Sequence, residues 1–247
     1  MLAVERLGAG PPILFVHGDI VGPELTWRKQ RGLAERWTLI IPSRPGFGES
    51  PPLRRNDFEV EAPMFVELLE DGAHLVGHSY GAVIALLAAA ERPEAVRSLT
   101  VSEPGCLRVA EGTPVVDEMI ANGERLFREG ERIPDEMFLR LFRGGAGSAY
   151  GTPEQLPEEL MHGVELLKRE RPSWEADIPL ERLAGAGFPV QVLSGGHSPA
   201  FEAVCDALAE GLAAERAVIP GRGHTVPSTG EPYNERLEVF LTAAERR

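Results

Sequence analysis

The sequence predicts an α/β fold: a mostly parallel sheet of about seven strands flanked by helices, with a helical insertion. Three observations carry that prediction. Short apolar runs alternate with helix-length stretches, which implies right-handed crossovers between parallel strands. One run, His74 to Leu87, passes from an apolar strand through Gly77-His78-Ser79-Tyr80-Gly81 directly into an Ala/Leu-rich helix that stops at Arg92-Pro93. Finally, the chemically interesting residues each follow a predicted strand, where open α/β sheets place their sites.

In chain order, Leu2 to Leu7 and Ile13 to Val16 read as strands joined by the turn Gly8-Ala9-Gly10-Pro11-Pro12. The second is apolar throughout, as expected of a strand covered on both faces. His17-Gly18-Asp19 follows it. An amphipathic helix is expected from about Glu24 to Arg36, a strand from Trp37 to Ile41, and a helix around Ala62 to Glu70. After the glycine-flanked turn at Ser79 and its helix comes a strand, Val96 to Ser102, ending at Glu103-Pro104-Gly105. Between there and about Pro179 the residues suggest helices only, over Val115 to Glu129, Asp135 to Arg143 and Pro153 to Glu170. Pro189 to Leu193 and Ala217 to Ile219 resume the strands, with helices at Ala200 to Ala214 and Tyr233 to Ala244. Gly221-Arg222-Gly223-His224 lies in the loop after the last strand.

The Ser79 turn has a chemical reading. A strand that hands over to a helix in so few residues strains the corner residue and needs small neighbours, here Gly77 and Gly81. Ser79 then stands above a helix N-terminus, where N–H groups favour developing negative charge. A hydroxyl attacks a carbonyl only when a base accepts its proton, and His224, on the loop after the last strand, is the expected base. His17 and His78 are expected to be buried packing residues.

Composition narrows the function classes. At 247 residues, 43% apolar and 26% charged, the chain fits one α/β domain, with or without an insertion. A net charge of −13 argues against nucleic-acid partners, whose binding depends on Lys and Arg neutralising phosphates. Cys106 and Cys205 provide no disulfide framework, and Cys106 is expected to be a small buried hydrophobe. The histidines His17, His74, His78, His162 and His197 match no zinc spacing, so neither metal nor cofactor is expected. No charged-then-apolar leader opens the chain and no apolar run reaches membrane-spanning length; a cytoplasmic protein acting on a small molecule, away from membranes, is the expectation.

Four motifs, Phe15-Val16-His17-Gly18, Arg44-Pro45-Gly46-Phe47-Gly48-Glu49-Ser50, the Ser79 turn and Gly221-Arg222-Gly223-His224, stand in the order found in the α/β-hydrolase fold. The chain resembles that family over nearly its whole length. The resemblance implies a core of residues 1–104 and 180–247 and a helical cap at 105–179, with the family's first strand missing. It implies an oxyanion hole made by the backbone N–H groups of Tyr80 and Asp19, although an aspartate there would oppose an oxyanion unless it turned away or were neutralised. Relatives usually carry an acid after the strand equivalent to Pro189–Leu193. Here that loop reads Ser194-Gly195-Gly196-His197-Ser198-Pro199. Some members place the acid after the preceding strand, and Glu103 occupies that position; a Ser79–His224 dyad is the alternative.

Trp27, Phe47, Met119 and Trp174 are candidates to line an apolar substrate pocket. The reading is a serine hydrolase that cleaves an ester or thioester of a small, largely apolar acid through an acyl-enzyme. Two alternatives stand beside it: hydrolysis of a carbon–carbon bond in a diketone-like metabolite, and a non-catalytic ligand-binding protein.

Overall fold

A computed structural model of the chain describes residues 1–145 and 158–247. Among the described residues, seven strands form one sheet in the order β1-β3-β2-β4-β5-β6-β7. They are β1 (Val4–Leu7), β2 (Pro12–Val16), β3 (Thr38–Pro42), β4 (Ala73–His78), β5 (Val96–Ser102), β6 (Val190–Ser194) and β7 (Glu215–Val218). Only β1 runs antiparallel, paired with β3; every other pairing is parallel. The central strands β2 and β4 are buried almost throughout, while the edge strand β7 is half-buried in its middle and exposed at both ends. That contrast is why their sequences read as unbroken apolar runs.

The helices that cover the sheet are α1 (Pro23–Thr26), α2 (Phe58–Leu68), α3 (Tyr80–Glu91), α7 (Leu180–Ala184), α8 (Pro199–Gly211) and α9 (Glu231–Ala244). Between β5 and α7 come α4 (Pro114–Glu129), α5 (Asp135–Gly145) and α6 (Glu158–Arg169), with no strand among the described residues. The start of the helix expected at Pro153, and most of the glycine-rich stretch before it, lie outside the described residues. Ten of the twelve residues of α3 are buried, so its Ala/Leu-rich surface packs all round and the helix forms the centre of the main core. A smaller apolar cluster of Ile20, Phe138, Leu139, Val164 and Leu167 joins α5 and α6 to the loop after β2. There Gly163 lets α6 approach so closely that a Cβ would sit 1.8 Å from the Ile20 carbonyl oxygen.

Two expected helices differ from the sequence reading. The stretch expected as one helix from Glu24 to Arg36 breaks at Trp27 into α1 and a 3-10 segment, Arg28–Glu35. Burying the Trp27 indole against Phe15, ring centroids 4.8 Å apart, fixes the break. The helix expected from Ala62 begins at Phe58 instead, because Asp57 caps it, accepting the Glu59 N–H at 2.9 Å. Pro63, which resembles a helix start in sequence, sits inside it.

Candidate active site

The site is built at the C-terminal ends of β2, β4, β5 and β6 and in the loop after β7. Ser79 joins β4 to α3 with φ +56° and ψ −121°, a conformation that side-chain-bearing residues rarely adopt. Its neighbours explain how the strain is held. A Cβ on Gly77 would lie 2.6 Å from both the Ala82 Cα and the Gly81 carbonyl oxygen. One on Gly81 would lie 2.3 Å from the Val16 carbonyl oxygen. Neither glycine tolerates a side chain, so β2, β4 and α3 close around the corner and present the hydroxyl outward.

Three residues far apart in sequence meet there. His224 Nε2 lies 2.9 Å from Ser79 Oγ, and His224 Nδ1 lies 3.2 Å from Glu103 Oε2. Glu103 is fully buried at the end of β5, also at positive φ (+50°), which turns its side chain under the imidazole. Its other oxygen, Oε1, accepts the Gly195 N–H at 2.6 Å. The loop after β6 therefore contributes a donor to a carboxylate carried by β5. Burial is the largest influence on Glu103 and opposes ionisation. The hydrogen bond and charge of His224, the Gly195 N–H and nearby His197 together outweigh it and hold the carboxyl below its usual range. With a carboxylate on Nδ1, the imidazole keeps its proton there and turns a lone pair toward the hydroxyl.

His78 precedes the serine but faces away from it. Its Nε2–H donates to the His224 carbonyl at 2.8 Å, so its ring pins the backbone of the residue whose side chain meets Ser79. Burial first, then the neighbouring His224, lowers the His78 pKa to about 4. His17 is equally enclosed: its Nε2 accepts the Arg44 N–H at 2.9 Å. Burial and the Arg44 charge keep its pKa well below that of a free imidazole. Cys106 is fully buried, and burial pushes its thiol up to about 12.

As the first residue of α3, Tyr80 has an N–H without an intrahelical acceptor. The turn at Asp19 is closed by the Val21 N–H on the Asp19 carbonyl. The Asp19 side chain, unexpected beside an oxyanion, is neutralised. Its Oδ1 accepts from Arg44 Nη1 at 2.9 Å. Arg44 is fully buried, grips Glu61 with two hydrogen bonds at 2.8 and 3.1 Å, and reaches Glu170 at 3.4 Å. Its guanidinium stacks over the Tyr80 ring, 4.1 Å from the centroid. Burial, followed by repulsion from Asp19, raises the Glu170 carboxyl well above the ordinary range. It can thus donate its own proton to Asp19. Sequence reasoning assigned no role to Arg44, Glu61 or Glu170. The available signal was a charged residue inside the Pro/Gly-rich motif that begins at Arg44.

A cavity of about 690 Å³ opens above Ser79, with Asp19 and His224 also on its floor. Leu107, Met119, Leu126, Trp174 and Phe201 give it apolar walls, drawn mainly from the helices between β5 and α7. Of the four residues expected to line a pocket, Met119 and Trp174 border this cavity. Trp27 and Phe47 do not. Trp27 is packed in the core on the far side of β2 with Leu33 and Tyr233. Phe47 is buried edge-on against His17, ring centroids 4.8 Å apart, and beside Arg44. An aromatic residue near a motif looks the same in sequence whether it faces a cavity or a core.

Comparison with known proteins agrees with this architecture. A protein from Methylococcus capsulatus named pimeloyl-acyl-carrier protein methyl ester esterase is 31% identical over 188 residues, covering 68% of this chain and 71% of its own. Its namesake from Chromobacterium violaceum is 32% identical over 166 residues, 66% of this chain and 65% of its own. With the Aeromonas salmonicida namesake the match spans 63% of that protein's length. Among solved structures, MenH from S. aureus superposes with a TM-score of 0.76 at 16% identity, covering 99% of this chain and all of its own. The fold, the serine at a strained strand–helix corner and the order of the motifs have one common explanation. Residues 13–236 match the model of the alpha/beta hydrolase family, and the chain belongs to that family.

Proposed function

We propose that the protein is a serine hydrolase that cleaves an ester by way of an acyl-enzyme. The observation that carries this reading is the unbroken line Ser79 Oγ–His224 Nε2, His224 Nδ1–Glu103 Oε2, set in the floor of a cavity. Ser79 attacks the ester carbonyl while His224 takes its proton. Glu103 fixes the tautomer and offsets the charge of the imidazolium. The N–H groups of Tyr80 and Asp19 receive the oxyanion; losing such a donor typically costs about 10²–10³ in rate. His224 then protonates the leaving alcohol, and a water activated by the same imidazole releases the acid.

The names of the relatives support ester hydrolysis. The apolar walls over Ser79 suit a small, largely apolar acyl group, bound as an ester or thioester. Two features favoured a non-catalytic protein, the absence of an acid after β6 and the aspartate at position 19. Glu103 beneath His224 and the Asp19–Arg44 pair account for both.

The test is labelling with a fluorophosphonate probe, followed by a p-nitrophenyl ester series of increasing acyl length. The native chain should label and turn over, and Ser79→Ala should do neither. Absence of labelling in the native chain would end the hydrolase reading. Turnover of a vinylogous diketone but of no ester would redirect it to carbon–carbon cleavage.

A further inference from the structure

His197 stands in the loop where relatives usually carry their acid, and its role is open once Glu103 has taken that place. Its ring is largely buried, lies against Phe201 with centroids 5.9 Å apart, and sits 6.1 Å from the His224 ring. His197 Nδ1 is 3.6 Å from Glu103 Oε1, and His224 Nδ1 is 3.2 Å from Glu103 Oε2. One ligand atom from each of the three residues lies within 4.8 Å of the others. We propose that Glu103, His197 and His224 form a zinc-type cation site whose occupancy switches off the base at Ser79. The switching part rests on the hydrolase reading above; the metal site itself does not.

Geometry and ligand chemistry both favour a borderline transition ion. Zinc binds imidazole and carboxylate at about 2.0–2.2 Å, so a tetrahedral site has ligand–ligand edges of roughly 3.3–3.6 Å. The carboxylate–imidazole separations, 3.6 Å from Oε1 to His197 Nδ1 and 3.2 Å from Oε2 to His224 Nδ1, are each close to that value, and one ligand atom from each of the three residues lies within 4.8 Å of the others. Two imidazoles and one carboxylate suit zinc and its neighbours. Magnesium and calcium, which take oxygen ligands, are excluded by the same donor set. The Gly195 N–H on Glu103 Oε1 orients the carboxylate as an outer partner does in metal sites.

The chemical consequence follows from one proton. With Glu103 alone, His224 carries its proton on Nδ1 and offers a lone pair at Nε2 to the Ser79 hydroxyl. A metal takes the Nδ1 lone pair, so the ring proton moves to Nε2. No proton is gained or lost, but Nε2 becomes a donor facing Ser79 and cannot accept its proton. Hydrolysis would stop while the fold stays intact, and a chelator would restore it.

The experiment titrates chelator-stripped protein with zinc chloride by calorimetry, alongside magnesium chloride. One zinc should bind, and magnesium should not. Ser79→Ala should bind zinc like the native chain, because the site needs no nucleophile. His197→Asn and His197→Phe, the latter keeping a ring against Phe201, should each weaken zinc binding on the order of 100-fold. In the ester assay, zinc should inhibit the native chain reversibly, and inhibition of each His197 variant, relative to its own metal-free rate, should fade in parallel. The proposal is overturned if the native chain binds no zinc, if magnesium binds equally, or if both His197 variants bind zinc undiminished. It is equally overturned if zinc binds stoichiometrically while native turnover is unaffected. Zinc binding by a chain that labels with no probe and cleaves no ester would sink the hydrolase reading and leave the metal site standing.

Discussion

Two buried carboxylate sites flank Ser79, and they solve the same problem in opposite ways. On one side a single carboxylate, Glu103, accepts hydrogen bonds from the His224 ring and the Gly195 N–H, with His197 nearby. It stays ionised in spite of its burial, with its pKa below the usual range. On the other side Asp19, Glu61 and Glu170 share one guanidinium, that of Arg44. There is too little positive charge for three carboxylates, and all three pKa values are raised, foremost by burial. Burial alone therefore does not decide whether a carboxyl is charged; the count of donors per oxygen does. In the proposed reaction the first site needs a permanent charge beneath an imidazole. The second lies beside the proposed oxyanion position, where a surplus negative charge would be harmful, and it sheds that charge onto a shared proton.

The sharpest way to break this contrast is Glu103→Gln. The amide keeps the shape but can favour the wrong tautomer of His224, and ester turnover should fall by roughly two to four orders of magnitude with the fold intact. A loss below about tenfold, near 1.4 kcal/mol in barrier, would show that His224 does not depend on the carboxylate. Next in size is Arg44→Met, which strands Glu61 and Asp19 in the interior without a counter-charge. Urea unfolding should report a loss of about 3–5 kcal/mol, the usual cost of breaking a buried ion pair from one side. A loss under about 1 kcal/mol would mean that these carboxyls are already neutral.

Glu170→Gln sharpens the comparison without breaking it. A carboxyl whose pKa is raised in the folded state binds its proton more readily there than in the unfolded chain. The stability it contributes is complete below the ordinary carboxyl range and is lost as pH rises through the folded value. As pH rises above the ordinary carboxyl range, melting temperature should therefore fall less steeply in the glutamine variant. For one proton the slope removed is at most about 1.4 kcal/mol per pH unit. Parallel curves for the two proteins would place the proton elsewhere. The smallest effect is expected from His78→Phe, which removes the donor to the His224 carbonyl. One hydrogen bond of about 1 kcal/mol predicts a decrease in turnover of roughly fivefold to tenfold. An unchanged rate would mean that the loop after β7 holds His224 unaided.

What could be read from the sequence was local in origin. Gly77, Ser79 and Gly81 announce a strand–helix corner because the steric demand falls within five residues. The central strands β2 and β4 are legible because burial on both faces leaves no polar position in Pro12–Val16 or Ala73–His78, apart from the two histidines of β4. Glu103 was legible only in part. Its place after β5 made it a candidate, but its positive φ leaves no mark in residue type, and the Gly195 donor comes from the loop after another strand, β6. Trp27 and Phe47 were misplaced for the converse reason: an aromatic side chain is equally apolar toward a cavity and toward a core.

The chain's order of apolar runs and turns was enough, by itself, to dictate a parallel sheet, a strained serine and a histidine on the last loop. Backbone sterics and period-two burial act over a few residues and leave their mark in any stretch of sequence. The folded molecule alone decided that Glu103 would meet His224, that Arg44 would be shared among three acids, and that His197 would come near Glu103 and His224. Those outcomes depend on distances between groups as many as 126 positions apart, such as Arg44 and Glu170. Coulomb and hydrogen-bond energies vary with separations in space that only the closed core defines.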